Sequence, residues 1–382
     1  MAAATLAARA PAESRMMAAL SGADRLPVDI RLFADDYPGA RERFYTACEG
    51  LPDIALRAVS CPASGPRGEA LQTDVAWLGD ATAGNVLLVI SGTHGVEGFA
   101  GSAVQSAFLQ ALPPLPENTA ILMVHLLNPW GAAWLRRCDH EGVDLNRNVV
   151  DFTAPLPQNG GYTELRDALF AGPTECRMAL AAYAQRHGQS ALEFAVSGGQ
   201  YADPAGPFYG GTQPSHARRL LEHLIAERGL AGRRLAVIDI HTGLGPFGHG
   251  ELICDHEPDS PGTVAARRWY GGGVALPLAG TSFSVPKLGL IDFAFHPFMR
   301  EDGCFITLEF GSYAMQELLA VIIDDHRRWM AGDRGVSGRA PIRQHFCPDD
   351  RSWREMVLWR GQQVLRQALA GLGADAQAGR PG

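Results

Sequence analysis

A histidine and a glutamate stand three residues apart in His94-Gly95-Val96-Glu97, directly after the apolar run Val86–Ile90 and a Ser91-Gly92-Thr93 turn. An unbroken run of Val, Leu and Ile reads as a buried strand. In α/β proteins, ligands sit outside the carboxyl ends of such strands. A catalytic zinc site takes three protein ligands and keeps one open position. His94 and Glu97, released on one turn, supply two of the three. A second apolar run, Leu235–Ile240, ends the same way at His241-Thr242-Gly243. His94, Glu97 and His241 form a His₂Glu set, which suits zinc and leaves Mn and Fe as alternatives. A fourth group, Glu309, closes the apolar stretch Ile306-Thr307-Leu308-Glu309-Phe310 with no cationic neighbour in sequence. Burial raises the pKa of such a carboxyl. That fits it to take a proton from water and pass it to a leaving amine.

These residues need a framework. The chain has 382 residues, 46% of them hydrophobic, enough for a sizeable core. Strands are expected at 74–78, 86–90, 120–126, 235–240 and 304–310. Helices are expected near Ala40–Tyr45 and at 98–112, 173–187, 216–228, 314–330 and 352–372. The alternation predicts an α/β fold, three layers α/β/α around a mixed, largely parallel sheet. Residues 1–25 read as a disordered leader, 26–373 as one hydrolase domain and 374–382 as a disordered tail. The 149–232 stretch reads as an insertion or loop-rich region that could cap the cleft, with a polar surface loop over 149–165.

The net charge of −8 argues against nucleic-acid binding. No apolar run is long enough to span a bilayer. Seven scattered cysteines without a Cys-x-x-Cys predict reduced thiols and a cytoplasmic location. His125 falls inside a strand and reads as a core residue or a support for the metal site. His140, His187, His216 and His223 read as solvent-exposed. Gly243-Leu244-Gly245-Pro246-Phe247-Gly248 matches Gly-x-Gly-x-x-Gly, but the glycines that follow discourage the helix a dinucleotide needs. It reads as a loop at the cleft mouth.

Further motifs lie in Asn128-Pro129-Trp130-Gly131 and Gly142-Val143-Asp144-Leu145-Asn146-Arg147-Asn148. With His94-x-x-Glu97, His241 and Glu309, they follow one another in an order that resembles the zinc carboxypeptidase (carboxypeptidase A-like) metallopeptidase superfamily, in an uncharacterised bacterial branch. The resemblance runs from about 86 to 313. It implies a carboxypeptidase-like fold and one zinc ion held by His94, Glu97 and His241. It implies that Glu309 activates the attacking water and that Arg137 stabilises the oxyanion. It assigns Asn146 and Arg147 to the substrate carboxylate and Asp144 to orienting the first zinc histidine, with Arg136 as the alternative to the adjacent Arg137. Tyr209 and Tyr313 are the candidates for a tyrosine closing over substrate. The implied reaction is hydrolysis of an amide bond beside a carboxylate in a small molecule or short peptide. The alternatives are an N-acyl amino acid deacylase of the aspartoacylase or succinylglutamate desuccinylase type, and a non-catalytic carboxylate-binding protein.

Overall fold

The unbroken apolar runs become the centre of an eight-stranded sheet in the computed structural model, which describes residue 26 and residues 28–378. The expected leader, 1–25, lies outside the described residues. Eight strands form the sheet: β1 (Ile54–Ser60), β2 (Gln72–Leu78), β3 (Asn85–Ser91), β4 (Thr119–His125), β5 (Arg234–Thr242), β6 (Gly250–Ile253), β7 (Val274–Ala275) and β8 (Cys304–Phe310). Their spatial order is β1-β2-β4-β3-β5-β8-β6-β7. The four middle strands β4, β3, β5 and β8 are mutually parallel, and antiparallel pairs appear toward the edges. The expected mixed, largely parallel sheet is what forms. Strands β1, β6 and β7 were not expected; β6 and β7 are short, and β1 carries polar residues.

Side chains of a strand alternate between faces, and both faces here are apolar. Leu87, Val89, Ile121, Met123, Ala236 and Ile238 pack on one side. They meet α1 (Tyr37–Glu49), α2 (Gly98–Gln110), α8 (Pro261–Tyr270) and the last helix, α11 (Arg351–Ala378). Val86, Leu88, Leu122, Val124, Leu235 and Val237 pack on the other side, against α7 (His216–Glu227). This is the three-layer arrangement expected from the alternation of elements. Helix α11 continues to Ala378, beyond the boundary at 373, and residues 379–382 lie outside the described residues.

The remaining helices are α3 (Pro129–Trp134), α4 (Gly160–Phe170), α5 (Pro173–His187), α6 (Gln189–Ser197), α9 (Met315–Met330) and α10 (Ala340–Phe346). The 149–232 region is therefore mainly helical, and the surface loop expected to 165 ends at Asn159. That residue caps α4 by accepting a hydrogen bond from Tyr162 N. Leu165, Leu192 and Val196 of this region form a third apolar cluster with Leu319, Ile322 and Phe346. Among the described residues, no helix is long and apolar enough to cross a membrane. The seven cysteines are unpaired.

Strand β3 is the pivot of the topology. Its chain successor β4 pairs on one side and β5 pairs on the other. The carboxyl ends of β3 and β5 thus open onto a topological switch point, where such sheets leave a crevice. The turn after β3 fits only because Gly95 has no side chain. A Cβ there would fall 2.0 Å from the carbonyl carbon of Gly131. Gly95 N and Val96 N instead donate to the Arg137 and Arg136 carbonyls, at 3.2 and 2.9 Å. Replacing Gly95 by Ala is expected to cost about 1–3 kcal/mol of stability through this overlap. Denaturant unfolding checks it, and a variant as stable as the parent would contradict the close approach.

Candidate metal centre

Strand β5 presents His241 next to Glu309 of β8 in direct register. The turn after β3 presents His94 and Glu97. The three expected metal ligands are buried and converge, with one ligand atom from each lying within 4.8 Å of the others. His94 Nδ1 is 2.9 Å from Glu97 Oε1, His241 Nδ1 is 3.3 Å from Glu97 Oε2, and the two Nδ1 atoms are 3.2 Å apart.

Each imidazole is held from behind. His94 Nε2 lies 3.0 Å from Asp144 Oδ1, and His241 Nε2 lies 2.7 Å from Asp239 Oδ2. With each Nε2–H donated to its carboxylate, both Nδ1 lone pairs face one point. Two lone pairs at that separation repel unless a proton or a cation lies between them. Ligands about 2.0–2.1 Å from a tetrahedral zinc stand roughly 3.3 Å from one another. The observed spacing fits such an ion without rearrangement.

Asp144, expected to orient the first histidine, lies against the Nε2 edge of His94. Asp239 is a partner that the sequence reading missed. It sits two residues before His241 on the same face of β5, a carboxylate in the otherwise apolar stretch Leu235–Ile240. Asp239 is itself fixed, accepting from Thr93 Oγ1 at 2.9 Å through both oxygens. Burial works against ionisation of Glu97 and Asp144, but the surrounding positive groups prevail. His94 and His241 hold Glu97 well below the usual carboxylate range, and Arg137 and His94 do the same for Asp144. For His241, burial opposes protonation, but Asp239 and Glu97 raise its pKa well above the ordinary value.

A cavity of about 720 Å³, part of it open to solvent, lies against these ligands. Glu309 lines it, with Oε1 accepting from Leu244 N at 3.0 Å. Leu244 belongs to the Gly243–Gly248 segment, which turns between β5 and β6 and starts no helix, as expected. Burial and the nearby charge of Glu97 push Glu309 up to about 8, against the opposing pull of His241. Arg137 also lines the cavity. Its Nη1 donates to Glu97 at 2.8 Å and its Nε to Asp144 at 3.0 Å, and the guanidinium lies over the Phe208 ring.

Asn146 and Arg147 reach the same cavity. Arg147 is buried, with no carboxylate within 4.0 Å among the described residues. Its Nε and Nη2 donate to the Ser197 carbonyl at 3.0 and 2.7 Å, and Nη1 donates to the Asn146 carbonyl. One proton on each terminal nitrogen is left without a hydrogen bond among the described residues. Burial pulls its pKa down to about 10, against the opposing charge of Asp144.

Three expected residues lie elsewhere. Arg136 points away from the cavity into a buried ion pair, with Nε 2.8 Å from Asp325 Oδ2 and the guanidinium stacked 4.3 Å from the Trp329 ring. Asp325 also holds Arg339 at 3.0 Å. Arg136 is thus a structural residue and Arg137 the one that faces the site. Tyr209 is buried in the apolar cluster that includes α7 and does not line the cavity. Tyr313 sits outside the cavity lining, its hydroxyl accepting from Gln344 at 3.1 Å. His125 is a core residue, stacked on Phe44 and 2.8 Å from Ser102 Oγ. His187 and His223 are exposed as expected, whereas His140 and His216 are half-buried.

The chain belongs to the family described as "protein of unknown function (DUF2817)", whose profile matches residues 33–360. No curated protein sequence matches it. Among solved structures, it is similar to a metallo-carboxypeptidase from Pseudomonas aeruginosa, at 13% identity and a TM-score of 0.43, covering 89% of this chain and 69% of that one. It is also similar to a succinylglutamate desuccinylase from Chromobacterium violaceum, at 16% identity, TM-score 0.34 and coverage of 77% and 74%. A murein-tripeptide amidase from Escherichia coli O157 matches at 18% identity, TM-score 0.37 and coverage of 72% and 92%.

Two outcomes follow from this geometry. Asp239→Asn is expected to weaken zinc binding roughly 10- to 100-fold, read by competition with a chromogenic chelator; unchanged affinity would remove Asp239 from the site. Asp325→Asn leaves Arg136 and Arg339 buried beside a neutral amide. It should cost about 3–5 kcal/mol in denaturant unfolding, and a loss under 1 kcal/mol would contradict the structural role given to Arg136.

Proposed function

We propose that this DUF2817 protein is a zinc-dependent hydrolase that cleaves an amide bond beside a substrate carboxylate. The observation that carries the reading is the placement of four groups on one cavity: the His94–Glu97–His241 cluster, Glu309, Arg137 and the uncommitted edge of Arg147. His94 and His241 through Nδ1, with Glu97, would hold one zinc ion. That ion would supply Lewis acidity, polarising the amide carbonyl and acidifying water.

The chain's own residues do the rest. Arg147, with Asn146 beside it, binds the substrate carboxylate end-on and fixes the amide against the cluster. Such positioning is a large part of catalysis. Glu309 takes a proton from the attacking water and returns it to the leaving nitrogen. Its placement among buried groups gives it the proton affinity that this shuttle needs. Arg137, anchored by Glu97 and Asp144, presents its remaining N–H groups to the oxygen on which charge develops.

Helices α6 and α9 wall the cavity with Glu193, Ser197, Met315, Leu318 and Ile322. This enclosure favours small amides, N-acyl amino acids and short peptides, over long chains. A pure carboxylate binder has no use for a buried glutamate beside the metal cluster, so the catalytic reading is preferred.

Glu309→Gln is expected to retain one zinc per chain while turnover falls by about 10²- to 10⁴-fold, the usual worth of a general base. Metal analysis and release of free amino acid from a panel of N-acyl amino acids and dipeptides measure the two. Turnover equal to the parent would remove Glu309 from the chemistry. Absence of turnover in the parent on every amide would favour the binder.

A further inference from the structure

A groove of about 1260 Å³, open to solvent, runs beside the first turns of α11 and shares no lining residue with the cavity at the metal cluster. Large apolar side chains scattered singly over a surface need no explanation, but a cluster of them marks an interaction site. Nine such side chains stand exposed among the described residues, and four of them, Val28, Phe247, Met356 and Trp359, line this groove. A fifth, Phe283, extends the patch, its ring edge-on to that of His249 at 6.3 Å. Phe247 is carried by the glycine-rich Gly243–Gly248 segment, and Trp359 is half exposed on α11. Aromatic residues, Met and Arg are the types that interfaces concentrate, and Trp and Arg are frequent among those that carry most of the binding energy. The sheet does not need this face of α11. The helix packs on the core through its other side, with Trp353, Val357, Leu358, Val364 and Leu365.

The charges on this face indicate what covers it. Ser352, Glu355, Met356, Trp359 and Gln363 recur three or four positions apart, so they share one side of the helix. Among the described residues, Glu355 is engaged only by Arg351, in an exposed pair at 2.8 Å of a kind worth less than about 1 kcal/mol. Arg360 has no carboxylate within 4.0 Å among the described residues; it donates to the Gly250 carbonyl at 3.3 Å and to Gln363 Oε1. The helix thus carries a weakly used anion and an unpaired cation on either side of the apolar pair Met356 and Trp359. We propose that this face is a two-fold interface between two copies of the chain, with their α11 helices crossing antiparallel. An axis passing beside positions 357 and 358 sets Met356 against the partner's Trp359 and Glu355 against the partner's Arg360. Two-fold symmetry makes each contact twice. A parallel crossing would instead set Glu355 against the partner's Glu355, like charge on like. An unrelated protein would have to bring complementary charges of its own, whereas a second copy already carries them in register. Phe247 and Phe283 widen the apolar contact around the helix pair.

Sedimentation velocity on the full chain, over a range of micromolar concentrations, tests the interface. The wild type is expected to sediment as a dimer. Trp359→Glu is expected to weaken self-association by roughly 30-fold or more, because it puts a charge at the centre of the apolar contact. Met356→Glu serves as the second variant, with the same direction expected, should circular dichroism show that the first fails to fold. Glu355→Arg and Arg360→Glu each set like charges opposite one another across the axis and are each expected to weaken the dimer by about 10-fold. The double variant restores complementarity and is expected to recover the wild-type affinity. Loss in both single variants without recovery in the double would overturn the antiparallel register. A monomeric wild type overturns the interface itself, whether the groove is then covered by another protein or by residues 1–25 of the same chain. A dimer that survives both Trp359→Glu and Met356→Glu also overturns it, because the contact then lies on another face.

Discussion

Two imidazoles are pinned from behind by buried carboxylates, and the rest of the site follows from that constraint. Asp144 fixes the Nε2 edge of His94 and Asp239 fixes the Nε2 edge of His241. Neither ring can rotate its Nδ1 lone pair away without abandoning a buried acceptor. The two lone pairs therefore meet beside Glu97, at a separation that suits two ligands of one small cation. Carboxylates placed this way also raise the basicity of the rings they hold. The arrangement gathers several negative charges in a place with little water. Arg137 offsets part of that charge by bridging Glu97 and Asp144. A divalent ion would offset more.

The sheet explains how residues far apart in the chain come to share this point. Four parallel strands end side by side, and the chain passes from β3 to β4 on one side before crossing back to form β5 on the other. The crevice is a consequence of connectivity, and the histidines sit at its two lips. The helices of residues 160–197 and α9 then close over it with an apolar cluster of their own. They supply the wall that carries Ser197, whose carbonyl holds Arg147 in place. The cap thus encloses the site and also orients the group assigned to the substrate carboxylate.

Much of this was legible in the sequence because it is written in local patterns. The central strands are continuous apolar runs, and a histidine at the end of such a run projects from the sheet edge. Asp239 was equally legible in principle, since a polar residue two positions before His241 must share its face. What failed was whatever depends on distant packing. Arg136 and Arg137 are adjacent and alike, and only the position of Asp325 and Trp329 decides which turns inward. Tyr209 was a candidate to close over substrate, yet it is buried in the apolar cluster that also takes in α7. Helix α4 was hidden by the two glycines at its start, where the cap on Asn159 outweighs their poor propensity.

The central claim is that the two Nδ1 atoms and Glu97 share one divalent ion. X-ray absorption at the zinc edge of the purified, zinc-loaded protein tests it most directly. The account predicts one zinc per chain, bound to two imidazole nitrogens at about 2.0–2.1 Å and to carboxylate or water oxygen, without sulfur. A thiolate-rich shell, or a spectrum with a single imidazole, would contradict it.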